Sequence, residues 1–199
     1  MMTTKPRDRI SVEEYKGHLI EIVVDDDPQN PRGFDCNLGT MVCFHSRYNL
    51  GDRTELKESM FQSWGELEEQ LIKEGDTIVV PLYMMDHSSL TIRAGSGFSA
   101  EDPGHWDWGQ IGFIYADREK IRDCYNVKYI TQKVKSLVRG SLDAEVREYN
   151  AFINGDACGY RITRDDNEID CCYGYFDHAV CLDEAKAIID GREDDNNVV

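Results

Sequence analysis

Five side chains, His45, Asp86, His87, His105 and Asp107, are of the types that do acid–base or metal chemistry. Histidine changes charge near neutral pH, and imidazole with carboxylate can hold a divalent metal or pass a proton. Asp86 and His87 fall in Tyr83-Met84-Met85-Asp86-His87-Ser88-Ser89-Leu90-Thr91; His105 and Asp107 open the block that continues Trp108-Gly109-Gln110-Ile111-Gly112-Phe113-Ile114-Tyr115. Adjacent residues on a regular strand diverge, so Asp86 and His87 converge only at a turn that ends the strand. The glycine-rich stretch Gly95 to Gly104 can return His105 and Asp107 to that end, and one shared cluster is expected there. A plainer reading stands beside it: Asp86, Ser88 and Ser89 make an Asx or Ser turn while His87 bonds a backbone carbonyl. No known metal-ligand spacing is matched, so no metal and no cofactor are expected, and Asp86, His87, His105 and Asp107 stand as candidates without an assigned catalytic role.

Trp106 and Trp108 flank Asp107, and alternation sends both indoles to one side if this segment is extended. Exposed, the pair would be a recognition surface; buried, a lid over a sheet. The expected binding surface joins Trp106, Asp107, Trp108 and Gln110 with His45 and Tyr48 from the polar run His45 to Asp52.

The elements that must position these residues follow from periodicity. Residues 18–24 are β-branched enough for a first strand, preceded by a short helix or turn over 11–15. Asp25 to Gly33, with two prolines in an acidic run, is a loop. An extended segment covers 38–45. Ser63 and Glu66 form a capping box for a helix with Leu67, Leu71 and Ile72 on one face, which Gly75 stops. Strands are expected over 77–84, 90–92 and 110–116, and Asp117 caps a helix from Arg118. A longer helix follows Thr131, with Val134, Leu137, Val138, Leu142, Val146, Tyr149 and Ile153 at spacings of three or four. A hairpin over 157–176 turns at Asp165 to Glu168, and a last helix over 182–189 ends at Gly191. Strands and helices do not alternate strictly, so the expected class is α+β: a single domain over 11–191 with a largely antiparallel sheet and helices packed on it, between a flexible 1–10 and an acidic tail 192–199.

The chain carries 22 Lys and Arg against 38 Asp and Glu, a net charge of −16 over 199 residues. Residues 165–199 hold eleven acidic against two basic side chains. This balance opposes direct binding of nucleic acid, which needs a positive face, and also of membranes. It suits solubility, a basic partner, or imitation of a phosphate backbone, with Asp165, Asp166, Glu168, Asp170, Asp194 and Asp195 as the acidic surface. Seven cysteines without framework spacing read as reduced thiols. With no apolar leader and no run of 18 apolar residues, a cytoplasmic location is expected. No glycine-rich nucleotide loop or nucleophile elbow is present in the sequence.

The blocks Asn37-Leu38-Gly39-Thr40-Met41-Val42-Cys43-Phe44-His45, Arg47-Tyr48-Asn49-Leu50-Gly51-Asp52, Leu82-Tyr83-Met84-Met85-Asp86-His87-Ser88 and Trp106 to Tyr115 resemble a family of small acidic proteins carried by phages and plasmids. The resemblance spans roughly residues 20–176. It brings no activity and no catalytic residues; it implies an accessory gene of a mobile element. The expected function is a non-enzymatic acidic inhibitor of a host nucleic-acid-handling defence complex of restriction or CRISPR type, which is a host protein or nucleoprotein with a basic surface. The alternative is a metal-dependent hydrolase of a nucleotide or nucleic acid working through Asp86, His87, His105 and Asp107.

Overall fold

The computed structural model describes residues 9–72 and 76–196, with side chains to Arg192 in the last helix. In chain order the strands are β1 (Arg9–Tyr15), β2 (His18–Val24), β3 (Thr40–Cys43), β4 (Ile78–Asp86), β5 (Leu90–Ala94), β6 (Trp108–Ala116), β7 (Cys158–Arg164) and β8 (Asn167–Tyr175). The helices are α1 (Trp64–Ile72), α2 (Arg118–Tyr125), α3 (Gln132–Asn154) and α4 (His178–Asn196). The fold class is α+β, and every strand pairing is antiparallel. The strands form two sheets of four. The chain divides into two compact units, one of residues 30–150 and one of 1–29 with 151–199.

The central unit holds the sheet β3-β6-β4-β5. Val42 and Phe113 pack on Leu67 of α1, with Phe44, Phe61 and Trp64 around them. On α3, Val134, Val138, Leu142, Val146 and Tyr149 are buried, at the spacing read from sequence, whereas Leu137 is 49% exposed and leaves that stripe. Leu142 and Ile114 both close on Gly39, where a Cβ would lie 2.6–2.7 Å from them. The Ser63 half of the capping box is formed, with Ser63 Oγ accepting the Glu66 N–H at 3.3 Å, while the Glu66 carboxylate reaches one residue farther back than expected and accepts the Gln62 N–H at 2.6 Å. Asp117 caps α2 through the Lys120 N–H at 2.8 Å. The proposed stop at Gly75 lies outside the described residues.

Arg32 organises the loop that enters this unit. Its side chain is 3% exposed and every guanidinium N–H is used: Nε and Nη2 donate to the two oxygens of Asp52 (2.9 and 2.8 Å), Nη1 to Glu145 (2.7 Å) and Asn37 (3.1 Å), Nη2 also to the Gly39 carbonyl (2.7 Å). The two carboxylates in turn accept backbone N–H groups of Leu38, Gly39 and Met41. Buried charge is tolerated because it is paired and hydrogen-bonded throughout.

The second unit holds the sheet β1-β2-β7-β8. Ile20, Ile22, Cys158, Tyr160 and Ile162 pack on Cys181, Ala185 and Ile189 of α4. Residues 11–15, expected as a helix or turn, belong to strand β1. The reason is the pair Lys16-Gly17, whose φ values of 48° and 72° make a tight hairpin turn onto β2. The last helix is also longer than expected. It starts early because Asp177 Oδ1 accepts the N–H groups of Ala179 and Val180, and it continues through Gly191, where Arg192 reaches back to Asp170 at 2.6 Å and the Ile169 carbonyl at 3.2 Å. Among the described residues no helix is long and apolar enough to cross a membrane.

Candidate functional site

The candidate residues meet at one end of the central sheet, where β4 leaves and β6 enters. Met85 pairs with Trp108, and the Asp86 N–H donates to the Asp107 carbonyl at 2.8 Å, so the ladder extends one step beyond β6. Between β5 and β6 the chain makes a loop anchored by Phe98, which is fully buried. Asp102 then fixes the end of the loop. Its carboxylate accepts the backbone N–H groups of Gly104 (3.1 Å), Trp106 (2.7 Å) and Asp107 (3.0 Å), while its carbonyl accepts the Trp108 indole N–H at 2.9 Å. The N–H of Asp107 foremost, then those of Trp106 and Gly104, hold this carboxyl below the usual aspartate range.

This loop separates the two indoles. Trp108 lies on the strand, half-buried, edge-on to Tyr83 (5.8 Å) and Phe98 (6.1 Å), with the His105 ring 4.2 Å away. Trp106 lies in the bend before the strand and is 86% exposed. The segment is not extended here, so alternation does not apply: Trp108 is a structural ring and Trp106 a surface one. The Trp106 indole lies across Gly104, where a Cβ would be 2.2 Å from it. A side chain at 104 would displace the ring.

The four candidate acid–base residues come to the same end of the sheet but divide into separate contacts. His87 Nδ1 is 2.8 Å from Asp107 Oδ2, with both side chains open to solvent. Asp86 turns to other partners, accepting from Arg47 Nη2 at 2.5 Å and from the Tyr48 hydroxyl at 3.0 Å. His105 packs on Trp108 with the two rings tilted by 30°. His45 stacks on Tyr48 at 5.1 Å and accepts the Arg47 N–H at 3.2 Å, and the Arg47 guanidinium lies 5.4 Å from the Tyr48 ring. Gln110 is half-buried and turns its amide to the Gly112 carbonyl at 3.4 Å. Among the described residues no group of three or more His, Cys, Asp and Glu side chains is arranged to hold a metal ion. Chemically this is a small polar and aromatic surface containing one imidazole–carboxylate pair.

The acidic surface lies in the second unit and is partly neutralised. Asp165 and Asp166 are exposed at the β7–β8 turn. Glu168 accepts from Arg161 at 2.9 and 3.0 Å, and Asp170 from Arg192 at 2.6 Å. The side chains of Asp194 and Asp195 lie outside those described.

Sequence reasoning missed Asp102 and Arg47. The run Asp102-Pro103-Gly104 is a turn signal that could have marked Asp102. Arg47 carried no signal, because its partner Asp86 is 39 residues away. Comparison with known proteins adds nothing here: no family model, no curated protein and no solved structure matches the chain significantly.

Proposed function

We propose that the chain is a non-enzymatic binding protein of a mobile genetic element, and that the surface around Trp106 anchors it to a host nucleic-acid-handling defence complex. The observation that carries the reading is the exposure of Trp106, 86%, on a loop tied down by Asp102. A large apolar ring held in solvent is a cost to the free protein and an advantage on contact, since aromatic and arginine side chains dominate interface hot spots. Arg47, 66% exposed, and the half-buried Tyr48 stand in the same unit beside Asp86. Holding the loop in one conformation beforehand reduces the ordering lost on binding. The net charge of −16 supports a partner with a basic face, to which it would add encounter rate and salt dependence. The resemblance to phage and plasmid proteins supports the choice of a restriction or CRISPR complex.

The test is affinity capture of the tagged chain from its host at low and high salt, with Trp106→Ala alongside. A nuclease or nucleoprotein complex is expected with the native chain and not with the variant. Capture that is equal for both proteins, or indifferent to salt, would count against the reading.

The pair His87 and Asp107 supports a second reading, proton transfer in a hydrolytic reaction on a nucleotide or nucleic acid. It is the weaker one, because Asp86 is bound to Arg47 and Tyr48 and does not join the pair.

A further inference from the structure

The central unit also carries two cavities, one polar and one apolar, with Phe44 in the lining of both; they are the two halves of the groove proposed below. The polar half, a cleft of about 820 Å³, is lined by Asn49, Arg53, Thr54 and Lys57 above Arg32 and Asp52. The apolar half, about 300 Å³, is walled by Phe44, Phe61, Trp64 and Leu67. We propose that this groove binds a nucleotide, with the base against the aromatic wall and the phosphates between Arg53 and Lys57.

Three observations carry this. The first is charge: in a chain of net −16, the polar half is lined by three cations against one carboxylate, and that carboxylate, Asp52, is the counter-ion of Arg32. Arg32 has no donor left to offer, since its N–H groups are all used inside the protein. Arg53 and Lys57 are exposed and, among the described residues, make no ion pair, so they are the cations available to an anion.

The second is the wall. The Phe44 ring lies within 12° of the Trp64 plane and 22° of Phe61, with centroids 6.2 and 6.4 Å away. The three rings are half-buried on the core of this unit, and a base would stack on the part of them that remains open, because every base has a π-face. Glu58 lines this half and not the polar one, so it does not oppose the phosphates directly.

The third concerns Cys43, the thiol that lines the cleft. Burial, reinforced by Asp52, pushes the Cys43 thiol up to about 12, so it stays neutral. Both volumes fall in the range of small-ligand sites, which lies at roughly 300–1,000 Å³. Neither half is lined by Trp106 or by its neighbours in the Asp102 loop.

Calorimetric titration of the full chain with ADP, GDP, CDP and UDP, and separately with adenosine and inorganic phosphate, tests the two halves. At least one diphosphate is expected to bind with a Kd below about 1 mM, with adenosine and phosphate each at least about tenfold weaker. Replacing the two exposed cations, Arg53→Glu with Lys57→Glu, should weaken the diphosphate at least about tenfold with an unchanged circular dichroism spectrum, and Trp106→Ala should leave it unaltered. No heat with any of the four diphosphates would overturn the proposal. So would phosphate or adenosine binding as tightly as the diphosphate, or a charge-reversed variant that keeps its affinity. Loss of diphosphate binding in Trp106→Ala would place the nucleotide elsewhere and overturn it too; unchanged binding leaves the partner reading of Trp106 to stand or fall on its own test.

Discussion

The Asp102 carboxylate accepts the backbone N–H of Trp106 at 2.7 Å, so the most exposed large apolar side chain described in the protein stands on a hydrogen-bonded support. Hydrogen bonds to the ionised form lower a carboxyl's pKa, and a group whose folded pKa is depressed stabilises the fold at pH above its unfolded value. That contribution is lost as pH falls through the folded pKa. Asp102→Asn should therefore lower the melting midpoint at neutral pH, and the gap from the native chain should close as the solution is acidified below the ordinary aspartate range. Amide exchange at Trp106 and Asp107 should quicken in the variant. A gap that persists unchanged in acid would mean the carboxylate charge is not what holds the loop.

The two tryptophans should respond oppositely. Trp106→Ala removes a solvated ring and should change stability by no more than about 0.5 kcal/mol. Trp108→Ala removes a ring wedged between Tyr83, Phe98 and His105 and should cost about 2–3 kcal/mol, somewhat below the range for a fully buried tryptophan. Chemical denaturation of both variants reads the difference, and equal costs would contradict the division of roles.

What was legible in the sequence is instructive by its mechanism. Strand 18–24, the Ser63 cap, the Asp117 cap and the stripe on α3, Leu137 excepted, rest on contacts within a few residues, and these are present. The errors came where distant or left-handed geometry decided. Lys16 and Gly17 turn residues 11–15 into a strand by supplying positive φ, and Arg192 carries α4 past Gly191 by bonding a strand 22 residues away. At the candidate site the region was legible and the pairing was not. Asp86, His87 and Asp107 converge on one end of the sheet, but which carboxylate meets the imidazole depended on Arg47, a partner no local pattern announces. The network of Arg32, Asp52 and Glu145 was invisible for the same reason, since Glu145 is 113 residues from Arg32.

That network supplies a third expected outcome. Arg32→Ala would leave Asp52 and Glu145 as half-buried carboxylates without their cation; breaking one side of a fully buried pair costs about 3–5 kcal/mol, and the loss here should lie at or below the bottom of that range. Arg32→Lys should rescue little, because an ammonium cannot donate in the fork that spans Asp52, Glu145 and the Gly39 carbonyl. Urea denaturation checks both variants; a lysine variant as stable as the native chain would show that charge alone suffices.

Gly112 should tolerate nothing larger than hydrogen. A Cβ there would lie 1.8 Å from the Val42 carbonyl oxygen, an atom of the neighbouring backbone in β3 that no rotamer can move. Overpacking against side chains costs about 1–3 kcal/mol, and Gly112→Ala should reach or exceed the top of that range because the strands must separate. The thermal midpoint measures this, and an unchanged one would place β3 farther from β6 than the register Val42 to Phe113 allows.

The last outcome separates charge from anchor in the proposed interaction. Asp165 and Asp166 occupy the two-residue turn between β7 and β8 with φ of 50° and 61°, a conformation in which Asn-Gly is the preferred pair. Asp165→Asn with Asp166→Gly should therefore remove two negative charges while leaving stability equal or higher by about 0.5–1 kcal/mol. Asp165 gives up only a long, exposed contact with Arg164 at 3.9 Å, whereas Glu168 and Asp170 are unsuitable for the same purpose, since their closer ion pairs with Arg161 and Arg192 would be broken. If carboxylates steer the chain to a basic partner, the turn variant should bind with a slower association rate and a shallower salt dependence, its dissociation rate unchanged. Trp106→Ala should do the reverse, raising the dissociation rate, because buried anchors govern how long a complex lasts. Surface-binding kinetics against the captured partner at two salt concentrations read both rates. Association and dissociation changing together in both variants would deny the two surfaces separate roles.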